Sequence, residues 1–352
     1  MLKGETEVHH SKFVDHSPEA SDKSKHMRCG VFGGGAWGMA LSSVLWGKGH
    51  TVLCWEPHEA FRNELRKRRI HPRYPQLEIP SNMHFVAAWK DAIEGIDLCV
   101  EAVTAPRARV IFQDLQDHWG DFPILSTSKG VELKDQSFCT LTQVAEEIYG
   151  STNFFGRLSG PSLADEVIQQ KWTEVVCSTF SNEVWEASCC AFKTSYFKLE
   201  RKEDLIGVDL CGSLKNSIAI TCGVCDGLSL GSNARSALLS RGSEVCSAMC
   251  QRYGGQVETC LGLAGMGDLI LTATSPLSRN YRLGTLLGKG YSLEEAKKEI
   301  GMAVEGVNTC TVLSKSCSLP FFKVLSSLLN AKKKPLEAIL LLLESESCRF
   351  PS

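Results

Sequence analysis

The sequence predicts an α/β protein in which an N-terminal Rossmann domain, a doubly wound parallel sheet, precedes a mainly α-helical second domain. Three observations predict it. A Gly-x-Gly-x-x-Gly turn at 33–38 stands between a short apolar run and a helix-like stretch. Strand-like and helix-like segments alternate from residue 28 to about 205, the pattern of a sheet covered on both faces. Beyond that point the strand signals fade, and long apolar, helix-compatible stretches follow.

Taken in order, residues 1–26 are polar. They hold His9, His10, His16 and His26 with the acids Glu5, Glu7, Asp15, Glu19 and Asp22. Without an apolar h-region, and with that acid content, they read as a poorly ordered tail, not a secretory or mitochondrial leader. The folded part begins at Met27. Residues 29–32 form a strand, 39–46 a helix terminated by Gly47 and Gly49, and 51–55 the next strand, a unit of βαβ size. Further strands are expected at 98–103, 124–126 and 175–178, with helices at 59–69 and 141–149. The second part reads as helices at 206–225, 234–253, 293–300 and 335–344. The expected division is a tail over 1–26, a dinucleotide-binding domain over 27–205 and a helical substrate domain over 206–348.

Composition bounds the function. A chain of 352 residues suits two domains. Lys+Arg of 38 against Asp+Glu of 40 gives a net charge of -2, with no basic excess for nucleic acid or an anionic membrane. The longest uninterrupted apolar run, 338–343, falls far short of the roughly 20 residues of a spanning helix, so no membrane span is expected. Sixteen cysteines without a signal peptide point to reduced thiols and a cytoplasmic location. Cys222 and Cys225 form a Cys-x-x-Cys pair inside a buried-helix pattern. No second pair and no ligand histidines follow, so no metal is expected.

The chemistry-bearing residues fall into four groups. In the glycine turn, Gly33 permits the tight bend, Gly35 admits a pyrophosphate to the backbone, and Gly38 allows close helix–strand packing. The helix start offers free N–H groups to phosphate. Glu56, just past the second strand, can bond a ribose hydroxyl and repel a 2′-phosphate, or be an ordinary surface carboxylate. Lys129 in Ser126–Gly130 stands at the carboxyl edge of the sheet, where ligands bind, and Gly160-Pro161-Ser162 offers further donors. Lys215 and Asn216 interrupt an apolar helix. A desolvated lysine has a lowered pKa and can move a proton near neutral pH, or it can be structural, paired with Asp209 or Asp268. Asp268 lies in a glycine-rich apolar setting, and Ser278-Arg279-Asn280 combines a guanidinium with hydroxyl and amide donors, a set that suits phosphate.

In this order the pieces resemble the NAD(P)-dependent glycerol-3-phosphate dehydrogenase family of bacterial type. The matching motifs are GGGAWG at 33–38, SKG at 128–130, LSGPSLADEV at 158–167, the segment around LKN within 207–220, GLAGMGDL at 262–269, SRN at 278–280 and VEGV at 304–307. The resemblance implies a helical domain of the 6-phosphogluconate dehydrogenase-like kind. It also implies reversible reduction of dihydroxyacetone phosphate to sn-glycerol 3-phosphate, the precursor of glycerophospholipids. By motif it makes Lys215 the acid/base, helped into place by Asn216 and Asp268. Lys129, Gly160, Ser162, Asn216, Asp268, Ser278, Arg279 and Asn280 would serve the substrate. Ala36, Trp37, Lys129, Ala164, Arg279, Ala303 and Glu305 would line the cofactor with Gly33, Gly35, Gly38 and Glu56. Where the family often carries a basic residue after the second strand, this chain has Glu56-Pro57-His58, so NAD(H) is favoured and NADP(H) left possible. A homodimer is left open. Two rival readings stand beside this one: another lysine-bearing enzyme of the same architecture, such as a β-hydroxyacid dehydrogenase or a ketopantoate reductase, and a non-catalytic dinucleotide sensor.

Overall fold

Strand residues that alternate faces must each find a covering helix, and here both faces are apolar. In the computed structural model, which describes residues 25–351, the strands are β1 (Arg28–Phe32), β2 (Thr51–Trp55), β3 (Ile70–His71), β4 (Tyr74–Glu78), β5 (Met83–Val86), β6 (Leu98–Glu101), β7 (Ile124–Ser126), β8 (Val131–Lys134), β9 (Ser137–Thr140), β10 (Phe155–Ser159), β11 (Thr173–Ser178) and β12 (Phe197–Lys202). The polar tail expected over 1–26 lies outside the described residues, except for Lys25 and His26. Val31, Val52 and Val100 pack with Met39, Leu41 and Leu45 of the helix Ala36–Gly47 on one face. Their neighbours Phe32, Leu53 and Cys99 pack with Ile111, Phe112 and Phe155 on the other. This two-residue period on each strand makes the sheet the centre of a three-layer domain.

Eight strands form one sheet in the order β12-β11-β10-β7-β6-β1-β2-β5. The run from β5 to β10 is parallel, as expected. At the far edge β10 and β11 pair antiparallel, and β12 lies parallel to β11, so the sheet is mixed and not wholly parallel. The two-stranded pieces β3–β4 and β8–β9 are hairpins outside it. The expected strand at 98–103 ends at Glu101, because the Glu101 carboxylate takes the Val103 N–H at 3.0 Å and turns the chain.

The helix Leu205–Gly227 follows β12 directly. The Asp204 carboxylate caps it by accepting the Gly207 N–H at 2.8 Å. Among the described residues it alone is long and apolar enough to cross a membrane, but 94% of its apolar window is buried inside the protein. It is a core helix, and the surrounding helices Gly231–Tyr253, Arg279–Gly288 and Glu305–Ser316 pack around it. The helices Arg279–Gly288, Glu305–Ser316 and Pro320–Leu329 are not anticipated from the sequence.

The crossing of Leu205–Gly227 with Arg279–Gly288 is unusually close. A Cβ on Gly223 would meet the Tyr281 carbonyl at 2.1 Å, and one on Gly284 would meet the Ile220 carbonyl at 2.0 Å. Gly227 and Gly288 repeat the arrangement one turn on. This backbone-on-backbone contact fixes Arg279 relative to Lys215, because both sit on the crossing helices. Overpacking a core position costs about 1–3 kcal/mol. Gly284→Val should therefore lower the melting temperature by at least ~2–4 °C, the shift that each kcal/mol produces in a domain of this size. Differential scanning calorimetry checks it, and an unchanged melting temperature would mean that the helices can separate freely.

Candidate active site

The site assembles where the carboxyl ends of the central strands meet the core helix. After β1, Gly33 turns the chain at a φ of 119°, a conformation that favours glycine. Gly38 packs so closely on this turn that a Cβ would lie 1.9 Å from the Gly33 carbonyl. Around Gly35, by contrast, a Cβ would meet nothing within 4 Å, and the helix Ala36–Gly47 starts without a side-chain cap. An open backbone in front of uncapped N–H groups fits the pyrophosphate of a dinucleotide. Ala36, Trp37 and Ala164 share one apolar cluster beside this turn, and the Trp37 indole donates to Thr127 Oγ1 at 3.1 Å. That bond ties the glycine turn to the loop carrying Lys129.

Glu56 is buried, not an ordinary surface carboxylate. One oxygen accepts the Gly34 N–H at 3.3 Å; the other accepts the His58 N–H at 2.9 Å and lies 2.8 Å from His58 Nδ1. Its first task is thus to fasten the glycine turn to the end of β2.

Three charged side chains converge against the core helix. Lys129 Nζ donates to Asp268 Oδ2 at 2.7 Å, while Lys215 Nζ donates to Asp268 Oδ1 and, at 2.9 Å, to Thr272 Oγ1. Asp268 is 1% exposed and Lys215 7%, so the Lys215–Asp268 pair lies away from bulk water, while Lys129 reaches the same carboxylate from a half-buried position. Burial lowers the Lys215 pKa from 10.5 to about 7; Asp268 opposes the shift and the Lys129 charge adds to it. Burial would raise the Asp268 carboxyl, but the two ammonium groups hold it below the usual range. Of the two structural partners considered for Lys215, the structure selects Asp268. Asp209 instead pairs with Arg157 Nε at 2.5 Å.

The expectation that Asn216 steadies Lys215 is corrected. Thr272, which the sequence reading passed over, does so. Asn216 faces the other way, accepting from Asn280 Nδ2 at 2.9 Å and donating to Glu305 Oε2 at 3.4 Å, while Asn280 Oδ1 accepts the Gly306 N–H at 3.0 Å. The two Asn side chains therefore moor the start of Glu305–Ser316 to the core helix, because an amide carries both a donor and an acceptor. Burial raises the Glu305 pKa, and the positive charges of Arg279, Lys129 and Lys215 oppose that rise, which places the four groups in one field.

Ser278 spends its oxygen on capping the helix Arg279–Gly288, accepting the Tyr281 N–H at 3.3 Å. Arg279 is half-buried at that helix start, with no hydrogen bond or ion pair among the described residues. A guanidinium beside a helix N-terminus suits an anion. Ser162 folds back to donate to the Gly160 carbonyl at 3.0 Å, and Ala303 is exposed at the rim. Neither side chain is hydrogen-bonded to the Lys129–Asp268–Lys215 group.

A buried network behind the site has no signature in the sequence. The Glu101 carboxylate accepts from the hydroxyls of Ser126 and Ser128. The Arg157 guanidinium donates to Ser126 Oγ and the Ser128 carbonyl and pairs with Asp209. It fixes the loop 126–129 against the core helix. The hairpin β3–β4 closes the other side: His71 stacks on Tyr74 at 5.2 Å, and Arg73 pairs with Asp165 at 3.2 Å and reaches the Met302 sulfur at 3.3 Å.

Comparison with known proteins agrees with this architecture. Residues 28–185 match the profile described as NAD-dependent glycerol-3-phosphate dehydrogenase N-terminus, and residues 204–340 match that of the C-terminus. A protein of Protochlamydia amoebophila named glycerol-3-phosphate dehydrogenase (NAD(P)+) is 38% identical over 320 residues, covering 89% of this chain and 96% of its own. One of the same name from Thermoanaerobacter sp. is 37% identical with the same coverage. The crystal structure of a glycerol-3-phosphate dehydrogenase from Coxiella burnetii superimposes with a TM-score of 0.85 at 31% identity, over 91% of this chain and 99% of that one.

Removing one member of a buried ion pair typically costs ~3–5 kcal/mol, since the other charge is left uncompensated. Arg157→Leu should accordingly destabilise the protein by about that amount in urea titration. A loss below about 1 kcal/mol, the range of exposed pairs, would show that the network is not sealed from water.

Proposed function

We infer the work of each side chain from one premise: the chain belongs to the NAD-dependent glycerol-3-phosphate dehydrogenase family. It is an oxidoreductase that reduces dihydroxyacetone phosphate to sn-glycerol 3-phosphate with a reduced nicotinamide dinucleotide. The observation that carries the residue roles is that Lys215 and Lys129 share the buried Asp268 carboxylate, with Arg279 unpaired in the same electrostatic field. The sixteen cysteines are free thiols, which supports a reducing, cytoplasmic setting.

The residues before 205 hold the cofactor, and the helical part from 206 presents the catalytic side chains. The open glycine turn and the uncapped helix behind it receive the pyrophosphate, flanked by Ala36, Trp37 and Ala164. Glu56 supports NAD(H) over NADP(H), since a buried carboxylate at the end of β2 repels a 2′-phosphate. The bound nicotinamide supplies a hydride to C2 of the substrate.

Lys215 delivers the matching proton to the carbonyl oxygen. A pKa of about 7 makes both its charged and neutral forms accessible near neutral pH, so it can give a proton in reduction and take one in oxidation. Asp268 and Thr272 aim its Nζ, and Lys129 adds positive potential where charge develops on the oxygen. Arg279 clamps the phosphate, giving remote binding energy that fixes C2.

Lys215→Met should leave NADH binding intact while kcat falls at least ~10²-fold, as expected for the loss of a general acid. Near-normal turnover in the folded variant removes Lys215 from the chemistry. Arg279→Ala should cost roughly 10- to 150-fold in kcat/KM for dihydroxyacetone phosphate, a charge-assisted hydrogen bond of ~1.5–3 kcal/mol, and spare unphosphorylated dihydroxyacetone. NADH affinity, measured by fluorescence titration, serves as the control. Equal damage to both substrates with unchanged NADH binding would mean that Arg279 does not hold the phosphate.

A further inference from the structure

The sequence draws the eye to Cys222 and Cys225, but the core helix buries them among apolar neighbours. A different set of thiols meets in space. Cys211 lies on the helix Leu205–Gly227, Cys250 on Gly231–Tyr253, and Cys260 on the short turn Val257–Leu261. Their three sulfurs lie within 4.8 Å of one another, and all three residues are buried. Cys260 Sγ is 3.6 Å from Cys211 Sγ and 3.4 Å from Cys250 Sγ. An ion about 2.3 Å from each of three tetrahedrally placed thiolates sets the sulfurs about 3.8 Å apart. The two spacings to Cys260 need to open by only a few tenths of an ångström.

We propose that Cys211, Cys250 and Cys260 form a binding site for a thiophilic divalent cation of the zinc class. The ligands come from three separate elements, so the ion would join two long helices and the turn leading to Asp268. Three thiolates around a divalent cation leave one net negative charge, and each thiol releases its proton on binding. A water can take the fourth position of the ion's coordination. The site is separate from the hydride-transfer residues. Cys211 nevertheless stands one helical turn before Lys215 on the same helix.

The test uses the full chain, reduced and free of oxygen, titrated with Co²⁺ as a spectroscopic stand-in for Zn²⁺. The proposal predicts a thiolate-to-cobalt charge-transfer band that saturates at one equivalent and disappears on adding Zn²⁺. Cys260→Ser and Cys250→Ala should each weaken Co²⁺ binding by at least ~10-fold, the low end of what even outer-shell losses cost a metal site. Cys222→Ala should bind as the parent does. Circular dichroism establishes that each variant is folded; if Cys260→Ser is not, Cys250→Ala and Cys211→Ser decide. The absence of a band in the parent at one equivalent overturns the proposal. So does a band that forms with unchanged Co²⁺ affinity in the folded cysteine variants, or one that Cys222→Ala abolishes.

Discussion

One carboxylate shared by two ammonium groups governs this molecule. Asp268 sits at the start of a short helix, Lys129 at the carboxyl edge of the sheet, and Lys215 in the middle of the core helix. The three come from segments far apart in sequence, and burying them is expensive. Each ion loses several kcal/mol of hydration, and the attraction of oppositely charged neighbours offsets this only when the geometry is good. The triad is therefore poor evidence for stability and good evidence for chemistry. One negative and two positive charges leave excess positive potential, which would favour an oxyanion formed beside them, and burial brings the Lys215 pKa to about 7.

Keeping such a group in place requires a stiff surround. On the sheet side, Arg157 links Ser126, Ser128 and Asp209, so the loop carrying Lys129 is bonded to the helix carrying Lys215. Gly212 assists, since a Cβ there would press on Ser159 Oγ at 3.1 Å, with the Lys129 stem in contact distance beside it at 3.6 Å. On the helical side, the glycine crossing brings Arg279 up to the core helix, and the pair Asn216–Asn280 moors Glu305 and Gly306. Arg279, Lys215 and Glu305 are thus referred to a single element, Leu205–Gly227.

The parts legible in the sequence are those whose physics is local. The glycine turn after β1 follows from backbone sterics, and the periodicity of residues 234–253 gives a helix directly. Lys215 stands out because a lysine in an apolar helix needs a reason. What stayed hidden is what only folding brings together. Nothing near Arg157 announces that it will neutralise Asp209, and Thr272 is one threonine among many until the helix turn places it beside Lys215. Glu56 was visible as a carboxylate at the end of a strand, but not its bond to Gly34. The antiparallel edge at β11 escaped for a similar reason: a strand fully buried on both faces reads the same in either direction.

The central claim is that Lys215, desolvated but held by Asp268, carries the proton. In the direction of reduction the charged form is the donor, so kcat must be level below the Lys215 pKa and fall above it; in oxidation the neutral form accepts, and the dependence reverses. The most direct measurement is the pH dependence of kcat for dihydroxyacetone phosphate reduction under saturating NADH, for the parent chain and for Asp268→Asn. The account predicts a midpoint near 7 in the parent, with about a tenfold loss per pH unit above it, and a lower midpoint in Asp268→Asn, because the carboxylate that favours the charged lysine is gone. A profile that stays level to about pH 9, as for a lysine of ordinary pKa, or a midpoint that ignores the loss of Asp268, would contradict it.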